Sequence, residues 1–308
     1  MNNFIYKIKN KLFRYSNEAL KTRGYSENEL LKYKFFNKND FNKLIISFGA
    51  GRCGQNWVAK IFNSHKNWIG SAERYSDFEA FYRFVTFYKL PIDKENFFKF
   101  YDLALKRDFS NYVNSFIASP YFSFGITEII TRFKPDYLFF NLRNPVRSVE
   151  SLYRKGWYLN NDEFFKYNRG PSINMSINII KNFSRIIPND DFYKEWLGLS
   201  RIGKIAWFWS IINKSILENF EKINNIEKYI LKLEDIDQNY DFYKSLSKKF
   251  SFENVMDKKS FYNVIYKAPN KGPNDKYKFK DWTVLEKKEF EDIIEKFFPY
   301  YDTIETNI

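Results

Sequence analysis

Residues 44–60 read LIISFGAGRCGQNWVAK, and this stretch decides the fold of the chain. It opens with a short apolar run that is long enough for a buried strand and too short for a helix. Gly49, Gly51 and Gly54 follow within six residues, and apolar residues then recur at helical spacing. The pattern predicts a strand, a glycine loop and a helix. Such a loop directs backbone N–H groups and a helix N-terminus at one point, where an anion, most often phosphate, is stabilised.

The loop matches the Walker A pattern, GxxxxGK[ST], only in its glycines. Gly49 and Gly54 have the required spacing, but Gln55 stands in place of the lysine and Asn56 in place of the serine or threonine. A nucleoside triphosphatase would thereby lose both its γ-phosphate lysine and its magnesium-binding hydroxyl. The sequence therefore predicts a phosphate-binding loop that does not serve ATP with Mg²⁺. A plain glycine turn in an α/β protein is the alternative.

Composition bounds the class of protein. With 308 residues the chain is long enough to bury a full core, and its 21% aromatic content argues against disorder. The formal net charge of +13 suits an anionic ligand or acceptor, and a solvated lysine-rich surface explains it equally well. No nucleic-acid-binding motif accompanies the charge, so no nucleic-acid partner is expected.

Cys53 and His65 are the only residues of their types. With one cysteine, the chain cannot form an intrachain disulfide. With one histidine as well, it cannot form a metal site from several histidines and cysteines, and we expect His65 to be structural. No apolar run has the length of a transmembrane helix, and the N-terminus lacks the features of a signal peptide. These observations predict a cytoplasmic protein. Because its N-terminus is basic and amphipathic, a position on a membrane surface is also compatible with the sequence.

Beyond the glycine loop, strands and helices alternate. Apolar runs predict strands at 121–130, 137–142 and 228–233. Helical periodicity predicts helices at 94–117, 204–220 and 285–298, with a further helix starting at Pro145. The alternation indicates an α/β fold, a parallel sheet flanked by helices.

One domain is expected over residues 1–308, since no repeat or low-complexity linker divides the chain. Residues 1–40 are predicted to form a helical lead-in to this domain. Residues 155–203 are polar, aromatic and irregular, and a loop-rich insertion of this length is typical of a functional element such as a lid.

A second anion site is expected beside the first. Arg143 follows the strand at 137–142, and Ser151 lies eight residues later, about two turns into the next helix. In a parallel sheet, ligands bind at the carboxyl ends of the strands, where Arg143 and the glycine loop meet. An arginine offers a bidentate fork to phosphate. Two anion sites at one sheet edge imply a ligand with two phosphate groups.

These residues resemble a known family. GAGRCGQNW at 49–57, followed by NLRNPVRSVESLY at 141–153, is similar to the sulfotransferases that use 3′-phosphoadenosine 5′-phosphosulfate (PAPS). KYILKLEDI at 228–236 and DWTVLEKKEFEDII at 281–294 resemble later segments of the same family. The resemblance implies the P-loop-like α/β architecture of that family, with PAPS as donor, 3′,5′-adenosine bisphosphate (PAP) as product and no metal.

The resemblance also implies which residues contact the donor. The loop that binds the 5′-phosphosulfate corresponds to Gly51, Arg52, Cys53, Gly54, Gln55, Asn56 and Trp57. The 3′-phosphate corresponds to Arg143 and Ser151, with a weaker match to a basic-glycine segment at Lys271 and Gly272.

Several loop positions depart from the family or allow a second interpretation. Gln55 and Asn56 replace two hydroxyl residues but can still donate hydrogen bonds. Arg52 keeps the positive charge of the family's lysine or arginine. Cys53 takes a serine position and is interpreted as a small loop filler rather than a reactive thiol. Trp57 is expected either to stack on adenine or to pack in the core.

Sulfuryl transfer needs a general base, and Glu128 is the candidate by resemblance. FGITEII at 124–130 is similar to a strand of glycan-directed and bacterial members that ends in glycine, lysine and a glutamate base, with Thr127 replacing the lysine. A structural role, such as pairing with Arg132 or a helix end, is the alternative, and Glu73 is the reserve candidate. Arg52 is expected to supply the positive charge at the transferred group.

The sequence therefore predicts a PAPS-dependent sulfotransferase that modifies a carbohydrate-like hydroxyl on a small molecule or glycan, with residues 155–203 on the acceptor side. The alternatives are a P-loop nucleotide kinase or phosphotransferase and a non-catalytic nucleotide-binding relative. Gln55 in the lysine position argues against the kinase, and Gln55 with Asn56 keeps the non-catalytic alternative open. The sequence specifies neither the acceptor nor the oligomeric state.

Overall fold

The computed structural model describes residues 42–110, 113–159, 183–266 and 277–308. The predicted helical lead-in at 1–40 lies outside these residues. Within them the backbone forms a five-stranded sheet in the order β2-β3-β1-β4-β5. The strands are β1 (Leu44–Gly49), β2 (Trp68–Ala72), β3 (Asn114–Ala118), β4 (Tyr137–Leu142) and β5 (Glu227–Lys232).

The helices flank and connect these strands. They are α1 (Gln55–Asn63), α2 (Ser76–Phe87), α3 (Glu95–Ser110), α4 (Ile126–Phe133), α5 (Pro145–Arg154), α6 (Phe192–Gly198), α7 (Arg201–Lys222), α8 (Leu233–Ile236), α9 (Tyr240–Lys249), α10 (Lys258–Tyr266) and α11 (Val284–Phe297). Short 3₁₀ turns occupy Pro120–Phe122, Phe279–Asp281 and Tyr301–Thr303.

All four strand pairings are parallel, as predicted, and β1 lies at the centre of the sheet. Gly49, the last residue of β1, is in register with Asn141 near the end of β4. The carboxyl ends of the strands therefore share one edge, where the glycine loop after β1 and the Arg143 loop after β4 are neighbours. This edge is where a ligand of an open α/β sheet binds.

Both faces of the sheet are covered, which explains the continuous apolar run of β1. Leu44, Ile46 and Phe48 belong to one buried cluster, which includes side chains of α3, α4, α5, α7 and α11. Ile45 points to the other face and belongs to a second cluster with side chains of α1, α9 and α10. The alternation follows from the two-residue period of a strand.

Phe62 of α1 is at the centre of the second cluster. Its ring stacks on Phe116 of β3, with ring centroids 4.4 Å apart, and meets Trp68 of β2 edge-on at 4.7 Å. Further edge contacts join it to Phe139 and Phe252. The high aromatic content of the chain thus serves to fix α1, and with it the glycine loop, on the sheet.

The predicted strand at 121–130 is wrong. Pro120–Phe122 is a 3₁₀ turn, and α4 begins at Ile126, so that Glu128 lies in the first turn of a helix. The structural reason is that Ile126, Ile129 and Phe133 form one buried helical face, at spacings of three and four residues.

The strand of this region is β3 (Asn114–Ala118), which overlaps the end of the predicted helix at 94–117. That helix ends at Ser110 instead of residue 117. The five-residue run of β3, NSFIA, is buried from Ser115 to Ala118. A short apolar run of this kind cannot be distinguished from the end of a helix by periodicity alone.

The other predicted elements are confirmed within one to three residues at their ends, and the structure adds elements where none was assigned. Residues 68–87 contain β2 and α2, and α6 lies inside the predicted insertion at 155–203. Residues 160–182 of that insertion lie outside the described part of the chain, so its role as a lid stays a prediction. Across the described ranges, no helix is both long and apolar enough to span a membrane.

Removing the Phe62 ring is expected to destabilise the protein strongly. Phe62→Ala leaves a cavity among the rings of β2, β3 and α1, and we expect the free energy of unfolding to fall by about 3–5 kcal/mol. Urea denaturation followed by tryptophan fluorescence measures this change. Phe78→Ala is the matched control, because Phe78 is 44% exposed. A loss at Phe62 as small as that at Phe78 would contradict the role of Phe62 in the core.

Candidate functional site

The glycine loop turns sharply between β1 and α1 through left-handed backbone conformations. Gly51 and Gly54 have φ angles of +82° and +89°, and Arg52 between them has φ +60°. A side chain at position 54 would also meet Leu233, since a Cβ there would lie 2.7 Å from its Cδ1 atom. The backbone conformation therefore favours glycine at 54, and a larger side chain there would also displace the Leu233 side chain of α8. Successive N–H groups in such a loop form a concave site for an anion.

Residues of the two predicted anion sites contact one another in the structure. The Arg52 Nε atom donates a hydrogen bond to Ser151 Oγ at 2.9 Å. The Arg143 Nη1 atom donates to the backbone carbonyl of Arg52, also at 2.9 Å. The loop after β1 and the loop and helix after β4 are therefore joined by direct contacts. Arg52, Arg143 and Ser151 therefore lie together at the carboxyl edge of the sheet, and their role as an anion site stays a prediction.

Positive charge is concentrated at this site. Burial lowers the pKa of Arg52, and the neighbouring Arg143 lowers it further. Burial likewise lowers the pKa of Arg143, with Arg154 adding a smaller repulsion. Lys155 has its pKa lowered by burial and then by Arg52. Because arginine stays protonated in proteins, these groups repel one another, and an anion with several negative charges would relieve the repulsion.

Cys53 fills the space beneath the loop. It is 2% exposed, and a Cβ at Gly49 would lie 2.5 Å from its sulfur atom. Burial raises the pKa of the Cys53 thiol to about 11. The side chain is thus a protonated thiol at neutral pH, which supports its interpretation as a loop filler.

The Gln55 side chain points at the sheet rather than into the loop. Its Nε2 atom donates to the backbone carbonyl of Ser47 at 3.1 Å, and Gln55 is 6% exposed. The Ser47 hydroxyl in turn contacts Asn141 Oδ1 at 2.5 Å. Sequence analysis missed this polar cluster, although a serine and an asparagine inside two apolar strands are its visible signal. Asn56, the other predicted donor of the pair, is half-buried at the start of α1.

Trp57 lies in the core beside the loop. It is 8% exposed, stacks on Phe242 with centroids 6.3 Å apart, and meets Phe261 edge-on at 6.4 Å. These contacts favour the core interpretation of Trp57 over adenine stacking. Lys271 and Gly272, the remaining predicted donor contacts, lie outside the described residues.

Glu128 is engaged by two donors. Its Oε2 atom accepts a hydrogen bond from the Tyr82 hydroxyl at 2.8 Å and contacts Lys94 Nζ at 2.7 Å. Arg132, the partner proposed for a structural Glu128, instead contacts Asp102 at 2.5 Å. The side chain of Glu128 is 36% exposed.

Glu73, the reserve candidate, lies directly after β2, at the carboxyl edge of the sheet. Its φ angle is +50°, a strained conformation for a residue other than glycine. Its backbone N–H donates to the carbonyl of Ala118 at the end of β3, at 2.9 Å. The negative charge of Glu73 raises the pKa of Arg52, so this carboxylate lies within electrostatic reach of the loop arginine.

His65 belongs to the core and not to this site. Its ring stacks on Phe252 with centroids 4.1 Å apart, and its Nδ1 atom lies 2.9 Å from the carbonyl oxygen of Glu253. Burial lowers its pKa. Within the residues that the structure describes, no group of three or more histidine, cysteine, aspartate or glutamate side chains is arranged to hold a metal ion.

The buried thiol gives a direct test of the loop. Because Cys53 is the only cysteine and its pKa is about 11, we expect 5,5′-dithiobis(2-nitrobenzoate) at pH 8 to react with the folded protein at least ~100-fold more slowly than with the urea-unfolded protein. Absorbance at 412 nm measures the rate, and Cys53→Ala supplies the blank. Equal rates for folded and unfolded protein would show that the loop leaves the sulfur accessible.

Comparison with solved structures reveals a relative in fold. The crystal structure of sulfotransferase STF9 from Mycobacterium avium matches 92% of this chain and 80% of its own, with a TM-score of 0.53 and 11% sequence identity. The sulfotransferase domain from the curacin biosynthetic pathway also matches, over 84% of this chain and 98% of its own, with a TM-score of 0.41 and 13% identity. Neither a protein-family model nor a curated protein sequence matches the chain. The fold conclusion rests on the first structure: the chain is structurally similar to a sulfotransferase over most of its length, with five parallel strands flanked by helices.

Proposed function

We propose that this protein transfers a sulfuryl group from PAPS to a hydroxyl group of an acceptor. The observation that carries the proposal is the convergence of Arg52, Arg143 and Ser151 at the carboxyl edge of the sheet, through two contacts of 2.9 Å. The similarity in fold to a sulfotransferase supports it. The coarser conclusion, a sulfotransferase-like structure, does not depend on the donor or the acceptor.

The residues fit a donor with phosphate groups at both ends of a ribose. Arg143 and Ser151 would hold the 3′-phosphate, and the backbone N–H groups of the glycine loop, with Arg52, would hold the 5′-phosphosulfate. The positive charge of Arg52 and Arg143 also favours a polyanionic ligand at this site.

ATP with magnesium fits less well. A P-loop kinase needs a lysine at the position of Gln55 to contact the γ-phosphate. The Gln55 amide group is instead hydrogen-bonded to the Ser47 carbonyl beneath the loop. Gln55 therefore supports the sheet below the loop and supplies no charge to a triphosphate.

Positioning and electrostatic stabilisation would account for most of the catalysis. PAPS supplies a sulfuryl group activated by its bond to phosphate. The two ends of the site would fix the donor relative to the acceptor, which lowers the entropic part of the barrier. Arg52 would stabilise the negative charge that develops on the phosphate oxygen as the sulfur–oxygen bond breaks. A carboxylate would accept the proton of the attacking hydroxyl.

We assign the role of general base to Glu73 in preference to Glu128. Glu128 already accepts from Tyr82 and contacts Lys94 through one oxygen atom. Among the described residues, the Glu73 carboxylate has no hydrogen bond or ion pair, and it interacts electrostatically with Arg52. Its place at the end of β2 puts it at the same sheet edge as the glycine loop. Glu128 remains the alternative base, which the second experiment below distinguishes.

A carbohydrate-like hydroxyl is the acceptor that we propose. The support is the resemblance of FGITEII at 124–130, which contains the alternative base Glu128, to a segment of glycan-directed sulfotransferases.

The donor site can be tested by calorimetry with 3′,5′-adenosine bisphosphate in the absence of magnesium. We expect the parent protein to bind it. Arg143→Ala should weaken binding by roughly 1.5–3 kcal/mol, about ten- to a hundred-fold or slightly more, because a charged contact to phosphate is lost. Arg132→Ala is the matched control, since Arg132 forms ion pairs with Asp102 and Glu95 on α3 and is expected to leave the affinity unchanged. No binding of the bisphosphate, together with binding of ATP and magnesium, would replace the sulfotransferase proposal with the kinase.

The base can be tested by transfer of radiolabelled sulfate from PAPS to a panel of small carbohydrates. Glu73→Gln should lower kcat by about 10²- to 10⁴-fold while the Kd for the bisphosphate stays unchanged, because the amide cannot accept the proton. Glu128→Gln should retain most of the activity. The reverse pattern would identify Glu128 as the base. Donor binding without transfer to any acceptor by the parent would favour the non-catalytic alternative.

A further inference from the structure

We propose that Glu234 and Tyr301 are positioning residues that make the site selective for a nucleotide with a 3′-phosphate. The inference rests on the proposed function, in which Arg143 binds that phosphate. It is carried by a chain of contacts that runs from Tyr301, through the Glu234 carboxylate, to the loop that holds Arg143.

Glu234 contacts the Arg143 loop at two points. Its Oε2 atom accepts a hydrogen bond from the backbone N–H of Asn144 at 3.0 Å. Its Oε1 atom lies 4.0 Å from the Arg143 Nε atom, and both side chains are mostly buried, at 22% and 23% exposure. Asn144 caps helix α5 through its side chain, which accepts from the N–H of Arg147. Glu234 therefore fixes the backbone at the start of α5 as well as the guanidinium next to it.

Arg52 and Glu234 both lie next to the Arg143 guanidinium and limit its movement. Nη1 donates to the carbonyl of Arg52, and Nε faces the Glu234 carboxylate. One hydrogen bond at Nη1 and the attraction of Glu234 at 4.0 Å from Nε restrict the rotation of the planar guanidinium. The remaining N–H groups are thereby oriented before the ligand arrives, and less entropy is lost on binding.

Tyr301 holds the carboxylate in its turn. The Tyr301 hydroxyl donates to Glu234 Oε2 at 3.1 Å, the same oxygen that accepts from Asn144. Burial raises the pKa of Tyr301, and the charge of Glu234 raises it further, so the hydroxyl keeps its proton and remains a donor. Trp209 of α7 packs against the Tyr301 ring with centroids 6.3 Å apart.

The segment that carries Tyr301 is fixed along β5. We call residues 301–307 the C-terminal segment. The Thr306 hydroxyl donates to Asp235 Oδ2 at 2.6 Å and accepts from the N–H of Lys232 at 3.0 Å. The backbone N–H of Asn307 donates to the carbonyl of Ile230 at 3.1 Å. Three successive residues thus contact three different segments: Leu233 lies next to the glycine loop, Glu234 bonds to the Arg143 loop, and Asp235 bonds to the C-terminal segment.

Positioning and simple charge competition predict opposite results. If Glu234 only competed with the phosphate for Arg143, neutralising it would tighten binding of a 3′-phosphate. If Glu234 orients Arg143, neutralising it weakens that binding. In either case the affinity for a nucleotide without a 3′-phosphate serves as the reference, because that nucleotide lacks the group that Arg143 is proposed to bind.

The experiment measures calorimetric Kd values of the full chain for adenosine 3′,5′-bisphosphate and for adenosine 5′-monophosphate. Tyr301→Phe should raise the Kd of the bisphosphate by about 3- to 10-fold, and Glu234→Gln by about tenfold or more. The Kd of the monophosphate should stay within about twofold of the parent value. Thr306→Val is the matched control: it removes a hydroxyl from the same segment without touching Glu234, and we expect it to leave the ratio of the two Kd values unchanged.

The outcomes separate the inference from the proposed function. A parent protein that does not bind the bisphosphate overturns both. With a binding parent, the inference is overturned if the variants weaken both nucleotides equally, if Glu234→Gln tightens the bisphosphate, or if Thr306→Val matches Tyr301→Phe. Tyr301→Phe removes a single oxygen atom, so it supplies the test even if Glu234→Gln reduces folding.

Discussion

The hydrogen bond from Arg143 to the carbonyl oxygen of Arg52 is the contact on which the rest of the site depends. It joins the loops after β1 and β4, which are distant in sequence. The hydrogen bond from Arg52 to Ser151 also joins the loop after β1 to helix α5. Two half-buried guanidinium groups are thereby held close together, although their charges repel each other. Such an arrangement is stable only where neighbouring anions compensate it, and Glu234 and Glu73 supply part of that compensation.

The parallel sheet explains why the charges meet where they do. Every strand of the described sheet runs in the same direction, so the loops that follow β1, β2, β4 and β5 all reach one edge. Beneath that edge Ser47 of β1 and Asn141 of β4 form a buried polar pair, and Gln55 at the start of α1 donates to the Ser47 carbonyl. The loop is therefore supported from below by a small polar cluster and from the side by Leu233. Rigid support of this kind keeps binding groups in place before the ligand arrives.

Sequence patterns predicted what is local and missed what depends on tertiary structure. The apolar runs of β1 and β4 stand out because both faces of these inner strands are buried, whereas the five-residue strands β2 and β3 are too short to show a period. Arg52, Arg143 and Ser151 could be predicted because each has a fixed spacing from a glycine loop or a strand end. The electrostatic interactions of Glu73 with Arg52 and of Glu234 with Arg143 join segments that are distant in sequence. The spacing of these residues along the chain therefore does not predict them.

The hydrogen bonds of residues 306 and 307 to β5 also affect whether another chain can pair with the outer edge of this sheet. An outer strand normally presents a row of unpaired N–H and carbonyl groups on which another extended chain can add itself. Here the carbonyl and N–H of Ile230 bond to Asn307, and the N–H of Lys232 bonds to Thr306. The outer side of β5 is thus capped by the protein's own backbone and side chains. Lateral growth of the sheet by strand addition is blocked on that side, and a fusion joined directly after residue 308 would have to leave this cap in place to preserve the protection.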